Sequence, residues 1–342
     1  PVGGSTYTWY SDASLTSVLT TGTAPTNALL GFSSVTANTR TVFVTETNAS
    51  GCEGPSTSIT LTVNPVTSAP AITFNPSTYC VGETITSPTV TSPVPFNTYT
   101  WYSDAALTTP LTTGTSPTNA ALGFSSATPI VRTIFVTEIN GSGCESAATT
   151  ITLIVNAVPS APAITFTPSS YCVGDAIVAP FVTTPGGSST YTWYSDAGLT
   201  TVLTTGISPT NVQLGFSSAS AGSITVFVTE TISGCASIAT PVTVTVNALP
   251  TASISGDVTI CNGQNTNLTF TFTGTGPWNY EYSDGVTTFS SSAATSPAIV
   301  SVSPTTATTY TLVSVEDVNC TGTVSATPVL ISVDDPPSIA LG

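Results

Sequence analysis

Across Ser58–Val63, the apolar residues Ile59, Leu61 and Val63 alternate with the hydroxylated residues Ser58, Thr60 and Thr62. The pattern returns further on, where Val242, Val244 and Val246 alternate with Thr243 and Thr245. A period of two filled with β-branched side chains is the mark of a strand with one buried and one wet face. Runs rich in Gly, Pro and Asn separate such stretches, among them Thr-Thr-Gly-Thr-Ser-Pro-Thr-Asn at 112–119 and Asn-Gly-Ser-Gly at 140–143. No stretch carries a convincing period of 3.6. About seven short strands per roughly 90 residues predict an all-β chain of immunoglobulin-type antiparallel β-sandwiches.

The chain also repeats itself. Thr-Tyr-Thr-Trp-Tyr-Ser-Asp-Ala stands at 6–13, 98–105 and 190–197, at equal spacing. Leu-Gly-Phe-Ser-Ser follows at Leu30, Leu122 and Leu214, Phe-Val-Thr-Glu at Phe43, Phe135 and Phe227, and Gly-Cys at Gly51, Gly143 and Gly234. Tyr-Cys-Val-Gly begins at Tyr79 and Tyr171. A fourth, diverged copy starts near Thr251 and carries Ile-Cys-Asn-Gly at 260–263. An active site is made once, whereas a building block is made many times. The copies divide the chain into an N-terminally truncated repeat over 1–66, repeats over 67–157 and 158–249, a diverged repeat over 250–334, and the start of another over 335–342. Short Pro-rich joins act as semi-rigid spacers, so the expected array is an extended rod. The opening at Pro1 without Met, and the partial repeat at each end, read as a piece cut from a longer array.

Composition narrows the function. Charged residues are 6% of the 342, against about 25% in an ordinary soluble protein. The net charge is −15, and the only basic residues are Arg40 and Arg132. Neither nucleic acid nor an anionic membrane surface suits such a chain, and no apolar run reaches the roughly 18 residues that span a bilayer. His and Lys are absent, which removes the usual general bases and Schiff-base nucleophiles. No Gly-x-Ser-x-Gly or phosphate-binding loop occurs, so an enzyme is not expected and no catalytic residue is assigned.

Two residue classes remain to be read. Trp9, Trp101 and Trp193 are expected as core aromatics of three sandwiches, the rival reading being exposed platforms for sugar. Asp12, Asp104 and Asp196 follow the Trp strand, while Glu46, Glu138 and Glu230 close the Phe-Val-Thr strand. Asp104 and Glu138 are the candidates for calcium, which takes oxygen ligands; the other reading is that these carboxylates are solvated turn residues. No other cofactor is expected.

Seven cysteines without a Cys-x-x-Cys pair point to disulfides in an oxidising compartment rather than to zinc. Near-constant separation within each copy assigns Cys80–Cys144, Cys172–Cys235 and Cys261–Cys320, with Cys52 left unpaired by truncation.

The combination of Thr-Trp-Tyr-Ser-Asp-Ala, the Leu-Thr-Thr-Gly turn, Phe-Val-Thr-Glu, Gly-Cys and the closing Ile-Thr-Leu-Ile-Val-Asn resembles the Ig-like repeats of very large Bacteroidota surface proteins. The fourth copy is similar to repeats of their gliding-motility adhesins. The resemblance covers essentially the whole chain. It implies a structural stalk segment of a long extracellular adhesin or surface filament, exported by the type IX system and serving gliding or attachment. It places the chain at the cell surface, attached to the outer membrane or secreted, and it supplies no catalytic residues. The expected partners are neighbouring repeats of the same chain, with surface polysaccharide or other cells beyond them, and neither nucleic acid nor an inserted membrane. The alternative function is a carbohydrate-binding Ig-like module of a secreted surface protein.

Overall fold

A computed structural model describes residues 3–337, which fall into two compact units, Pro1–Ala157 and Val158–Gly342. The segment expected to open a further repeat at 335–342 lies mostly outside the described residues.

In the first unit, the first repeat forms one four-stranded antiparallel sheet, ordered Val18–Thr21, Thr6–Tyr10, Asn38–Thr47, Thr57–Val63. The second repeat forms a five-stranded sheet, ordered Thr78–Cys80, Thr149–Asn156, Ile130–Ile139, Thr98–Tyr102, Pro110–Thr113. A short pair, Ile72–Thr73 with Thr89–Val90, adds to it. The chain thus contributes to that pair at Ile72 and joins the main sheet at Thr78, where it runs parallel to the last strand with Cys80 opposite Asn156. The period-two pattern decides what is buried. Ile151, Leu153 and Val155 of the last strand enter the core together with Trp101, Ile134 and Val136, while Thr152 and Ile154 between them stay partly exposed.

In the second unit the third repeat is built in the same way. Its sheet runs Ser170–Cys172, Thr240–Asn247, Gly222–Ile232, Thr190–Tyr194, Val202–Thr205, with Ile164–Thr165 and Phe181–Val182 as the short pair. The fourth repeat has two full sheets, ordered Ala298–Val302, Thr266–Phe272, Thr251–Ser255, Thr323–Val324, and Val258–Cys261, Val329–Asp334, Thr308–Glu316, Trp278–Ser283, Thr288–Ala293. Its core is aromatic: Phe270 lies 4.8 Å from Tyr280 and 5.1 Å from Tyr282 between ring centroids, and Phe272 stacks on Trp278 at 5.4 Å.

Two one-turn helices, Asn119–Leu122 and Asn211–Leu214, break the all-strand expectation. Thr118 and Thr210 cap their first turns, and Gly123 and Gly215 close them in the left-handed region. Leu122 and Leu214 are thereby turned into the cores. Gly123 favours glycine because its φ is +67°, and the Arg132 guanidinium lies close beside it, its Nε–H donating to the Leu122 carbonyl at 2.8 Å. Arg40 repeats the arrangement on Leu30, also at 2.8 Å.

Candidate functional site

Trp101 and Trp193 are fully buried, as the core reading requires. Each indole N–H donates to a glycine carbonyl of the Thr-Thr-Gly turn, Gly114 at 2.8 Å and Gly206 at 2.9 Å. This bond explains why the Trp strand and that turn recur together, and it leaves no face for sugar. Trp9 makes the same bond to Gly22 at 2.9 Å but is only half-buried, because its repeat shows one sheet with no second layer among the described residues.

The calcium pairing does not form. Glu138 lies opposite Tyr99, near the start of the Trp strand, whereas Asp104 follows that strand's other end. Strand geometry, at about 3.3 Å per residue, holds the two apart by roughly 15 Å, too far to share an ion. Glu138 is buried and accepts the Asn97 amide, while its backbone N–H goes to Ser146. Asp104 clamps its own turn: it accepts from the Thr108 N–H at 3.1 Å and the Thr109 N–H at 2.8 Å, across Leu107 at φ +58°. The Thr108 N–H leads the interactions that hold its carboxyl below the usual range. Asp12 and Asp196 repeat the clamp. No cluster of metal-ligating groups occurs among the described residues.

The cysteine assignment is also corrected. Cys172 is bonded to Cys320, with S–S 2.06 Å and Cα–Cα 5.9 Å. Cys144 and Cys261 are free, as is Cys52, while Cys80 and Cys235 are disulfide-bonded. Cys80–Cys144, Cys172–Cys235 and Cys261–Cys320 therefore do not form. The reason lies in the sheet. Cys80 stands opposite Asn156 at the exit end of the last strand, whereas Cys144 follows Ile139 at the far end of the neighbouring strand, whose start, Ile130, faces Val155. Nine residues of strand span about 30 Å, and a disulfide tolerates roughly 4.4–6.8 Å between Cα atoms. The two cysteines of one repeat sit at opposite poles.

What the bond does hold is the joint between the third and fourth repeats. Cys172 sits opposite Asn247, where the third repeat ends, and Cys320 sits in a turn of the fourth beside its start. Thr323 N–H donates to the Pro250 carbonyl at 2.9 Å, and any side chain on Gly322 would overlap Pro250. Asp317 shapes the turn by accepting from Cys320 N–H at 2.7 Å, Asn319 N–H at 2.8 Å and Thr275 N–H at 2.9 Å. Burial pushes its carboxyl upward, and these backbone bonds outweigh it and hold it low. The joint of the first unit has the same plan without a disulfide. Asn140 donates to the Pro65 carbonyl at 2.9 Å and accepts from Cys144 N–H at 3.0 Å. Sequence reasoning missed this joint, although the Asn or Asp shortly before Cys52, Cys144 and Cys320 was its signal.

The remaining concavity of note is an open groove of about 540 Å³ on the outer face of the fourth repeat, lined by Asn279, Glu281, Ser290, Ser292, Ser314 and Glu316. The aromatics beneath it, Tyr280 among them, are buried.

Comparison with known proteins agrees with this architecture. Residues 1–65 and 68–156 match the family described as Ig-like domain, CHU_C associated, and residues 249–328 match the Ig-like domain of nucleoporin POM152. The chain is thus a tandem of Ig-like domains. No curated protein matches it. Among solved structures it is similar to an I-band fragment of titin, I67-I69, at 11% identity and TM-score 0.32, covering 79% of this chain and all of that one. It is also similar to fibronectin(III)-like modules of Clostridium thermocellum CbhA, at 17% identity and TM-score 0.27, covering 51% of this chain and 95% of that one. Sidekick-1 immunoglobulin domains 1–5 match at 13% identity and TM-score 0.24, covering 98% of this chain and 74% of theirs. Among the described residues, no helix is long and apolar enough to cross a membrane.

Proposed function

We propose that residues 1–342 are a stalk segment of a long extracellular adhesin or surface filament, serving attachment or gliding at the cell surface. Four Ig-like domains, over 1–66, 67–157, 158–249 and 250–334, carry it, and their partners are first of all one another. The observation behind this reading is the joint at Pro250. The Cys172–Cys320 disulfide ties one repeat to the next there, the fourth repeat's Gly322 and Thr323 pack and bond on Pro250 beside it, and an Asn side chain reaches the Pro65 carbonyl at the earlier joint. Polar chemistry in this chain is spent on turns and joints, with the tryptophans inside, as suits a spacer that must hold its form under load.

A second reading, a carbohydrate-binding module, is favoured only by the polar groove around Glu281 and Glu316. Small-angle scattering tests the stalk. Three and a half sandwiches of roughly 35–40 Å placed end to end would give a rod on the order of 130 Å, with a radius of gyration near 37 Å. A compact globule of this length gives about 20 Å, a value that would defeat the reading. Binding of the full chain on a glycan array, lost in Glu281→Ala, would favour the second reading instead.

A further inference from the structure

Asn-Gly occurs at two places in this sequence, Asn140–Gly141 and Asn262–Gly263. The second glycine has a conformational reason, a φ of +89°. The first has none. Gly141 lies outside the left-handed region, and a Cβ built on it would meet nothing within 4 Å. The first repeat places Ala49 at the matching position, after Asn48, in a turn of the same build. Neither backbone nor packing therefore demands the glycine that follows Asn140, and Asn140 is the residue that reaches across to Pro65.

The Asn140 side chain is arranged for attack by its own main chain. Its Oδ1 accepts from Ser142 N–H and from Cys144 N–H, both at 3.0 Å. Two fixed backbone donors thus face the oxygen on which negative charge gathers when a nucleophile adds to Cγ. Hydrogen bonds to an anionic oxygen are about twice as strong as those to a neutral one, so the pair favours the transition state over the resting amide. The nucleophile is the next residue. Gly141 N–H finds no acceptor among the described residues, and Gly141 is exposed, open to deprotonation by hydroxide. Nδ2, the leaving group, donates to the Pro65 carbonyl at 2.9 Å. Two other asparagines separate the parts of this arrangement. Asn48 has the same clamp, accepting from Ser50 N–H and Cys52 N–H at 3.0 Å, but its neighbour Ala49 carries a Cβ. Asn262 has the glycine without the clamp: its Nδ2 donates to Asp335 at 3.0 Å, and its Oδ1 accepts no N–H among the described residues.

We propose that Asn140 is a self-modification site, which deamidates through a cyclic imide and so releases the Pro65 joint. Gly141 N, having given its proton to hydroxide, adds to Asn140 Cγ. The N–Cγ bond forms, the Cγ–Nδ2 bond breaks, and the nitrogen leaves as ammonia after taking a proton from water. Water then opens the imide at either carbonyl, giving aspartate or its β-linked isomer. Nothing is oxidised or reduced, and water is the sole co-reactant. The change acts on the joint because the departing nitrogen is the donor that holds Pro65. A carboxylate oxygen in its place faces the Pro65 carbonyl, and two acceptors repel. The turn itself tolerates a carboxylate. Asp317 sits in the corresponding turn of the fourth repeat and accepts from Asn319 N–H and Cys320 N–H, but its other oxygen meets a donor, Thr275 N–H at 2.9 Å. The joint between the first and second repeats thus carries a time-dependent release that the Cys172–Cys320 joint lacks. The chemistry of this turn does not depend on the stalk reading.

The test incubates the full chain at mildly alkaline pH and follows each asparagine by peptide mapping. Asn140 should convert at least about tenfold faster than Asn262, which lacks the two oxyanion donors, and faster again than Asn48, with β-linked aspartate among its products. Two substitutions exchange the neighbours. Gly141→Ala should slow Asn140 to the rate of Asn48, and Ala49→Gly should raise Asn48 to the rate of wild-type Asn140. Gly141→Ala fits the fold, since nothing stands near its Cβ, and unchanged hydrogen exchange over Ile130–Ile139 checks this. Equal rates at Asn140 and Asn262, or a slower Asn140, would mean that the clamp is idle or protects the amide, and would overturn the proposal. Conversion to aspartate alone, with no β-linked product, would overturn it too, because it bypasses the imide. At the joint, Asn140→Asp should be cut severalfold faster than wild type within residues 64–70 by a protease of broad specificity. Unchanged cleavage there would contradict the release of Pro65.

Discussion

Replacing Trp101 by Ala removes the largest fully buried side chain of the second repeat. Loss of a core tryptophan costs about 3–5 kcal/mol, transfer and cavity terms together. Within that figure the Gly114 carbonyl loses the donor that lay 2.8 Å away, worth about 1 kcal/mol. Against a domain stability of about 5–15 kcal/mol this is a large fraction. Trp9→Ala supplies the internal comparison. That ring makes the same hydrogen bond but is half-buried, so its loss should cost about half as much. Hydrogen exchange with mass analysis reads each repeat separately and avoids a single melting temperature for a multidomain chain. In Trp101→Ala, core amides of Thr98–Tyr102 and Ile130–Ile139 should open roughly 10²- to 10³-fold more often. Peptides from 251–334 should not move. The corresponding strands of the first repeat should respond to Trp9→Ala by roughly tenfold. Equal responses to the two substitutions, or no response to Trp101→Ala, would refute the assignment of Trp101 to the core and revive an exposed platform.

Glu145 accepts from the Tyr102 hydroxyl at 2.9 Å and from the fully buried Thr137 at 2.6 Å. Glu145→Ala should therefore cost about 1–3 kcal/mol in urea denaturation of the second repeat, and an unchanged midpoint would show the bonds contribute nothing. The turn-clamping carboxylates Asp12, Asp104 and Asp196 are held below their ordinary value of 3.8, backbone N–H donation being the leading cause in each. A lowered folded-state value means the stabilisation is present above about pH 3.8 and is lost as pH falls through the folded value. Urea midpoints should thus decline on acidification below about pH 4, and the triple change to Ala should flatten that limb; a triple variant with an unaltered acid limb would contradict the clamp.

The strands were legible because Ile59, Leu61, Val63 and their counterparts write period two in β-branched residues, and the core tryptophans because an aromatic on such a strand has few other places to go. The one-turn helices at Asn119 and Asn211 were not, since four residues cannot display a 3.6 period. Their signal was the capping pair, Thr118 with Gly123 and Thr210 with Gly215, within a run that reads as turn. Asp104 and Glu138 were grouped by their recurrence after strands, which says nothing about which end of a sheet each strand delivers. The cysteines failed for a related reason. In a periodic chain a constant separation within one repeat comes with an equally regular separation to the next, and only strand direction, which puts Cys80 and Cys144 at opposite poles, breaks the tie. The resemblance to Ig-like repeats carried the domain class and stayed silent on how one repeat is fastened to another.

The account stands on covalent joining of successive repeats, and a non-reducing peptide map tests it most directly. With two arginines and no lysine, trypsin would barely cut the chain. A carboxylate-specific protease would cut after Asp175, Asp196 and Glu230, placing Cys172 and Cys235 on different peptides, and after Glu316 and Asp317, isolating Cys320 from Cys261. The predicted result is a Cys172 peptide linked to the Cys320 peptide, with Cys261 recovered as a thiol. Recovery of Cys172 with Cys235 and of Cys261 with Cys320 would return the bonds to the interior of each repeat and contradict the stapled joint.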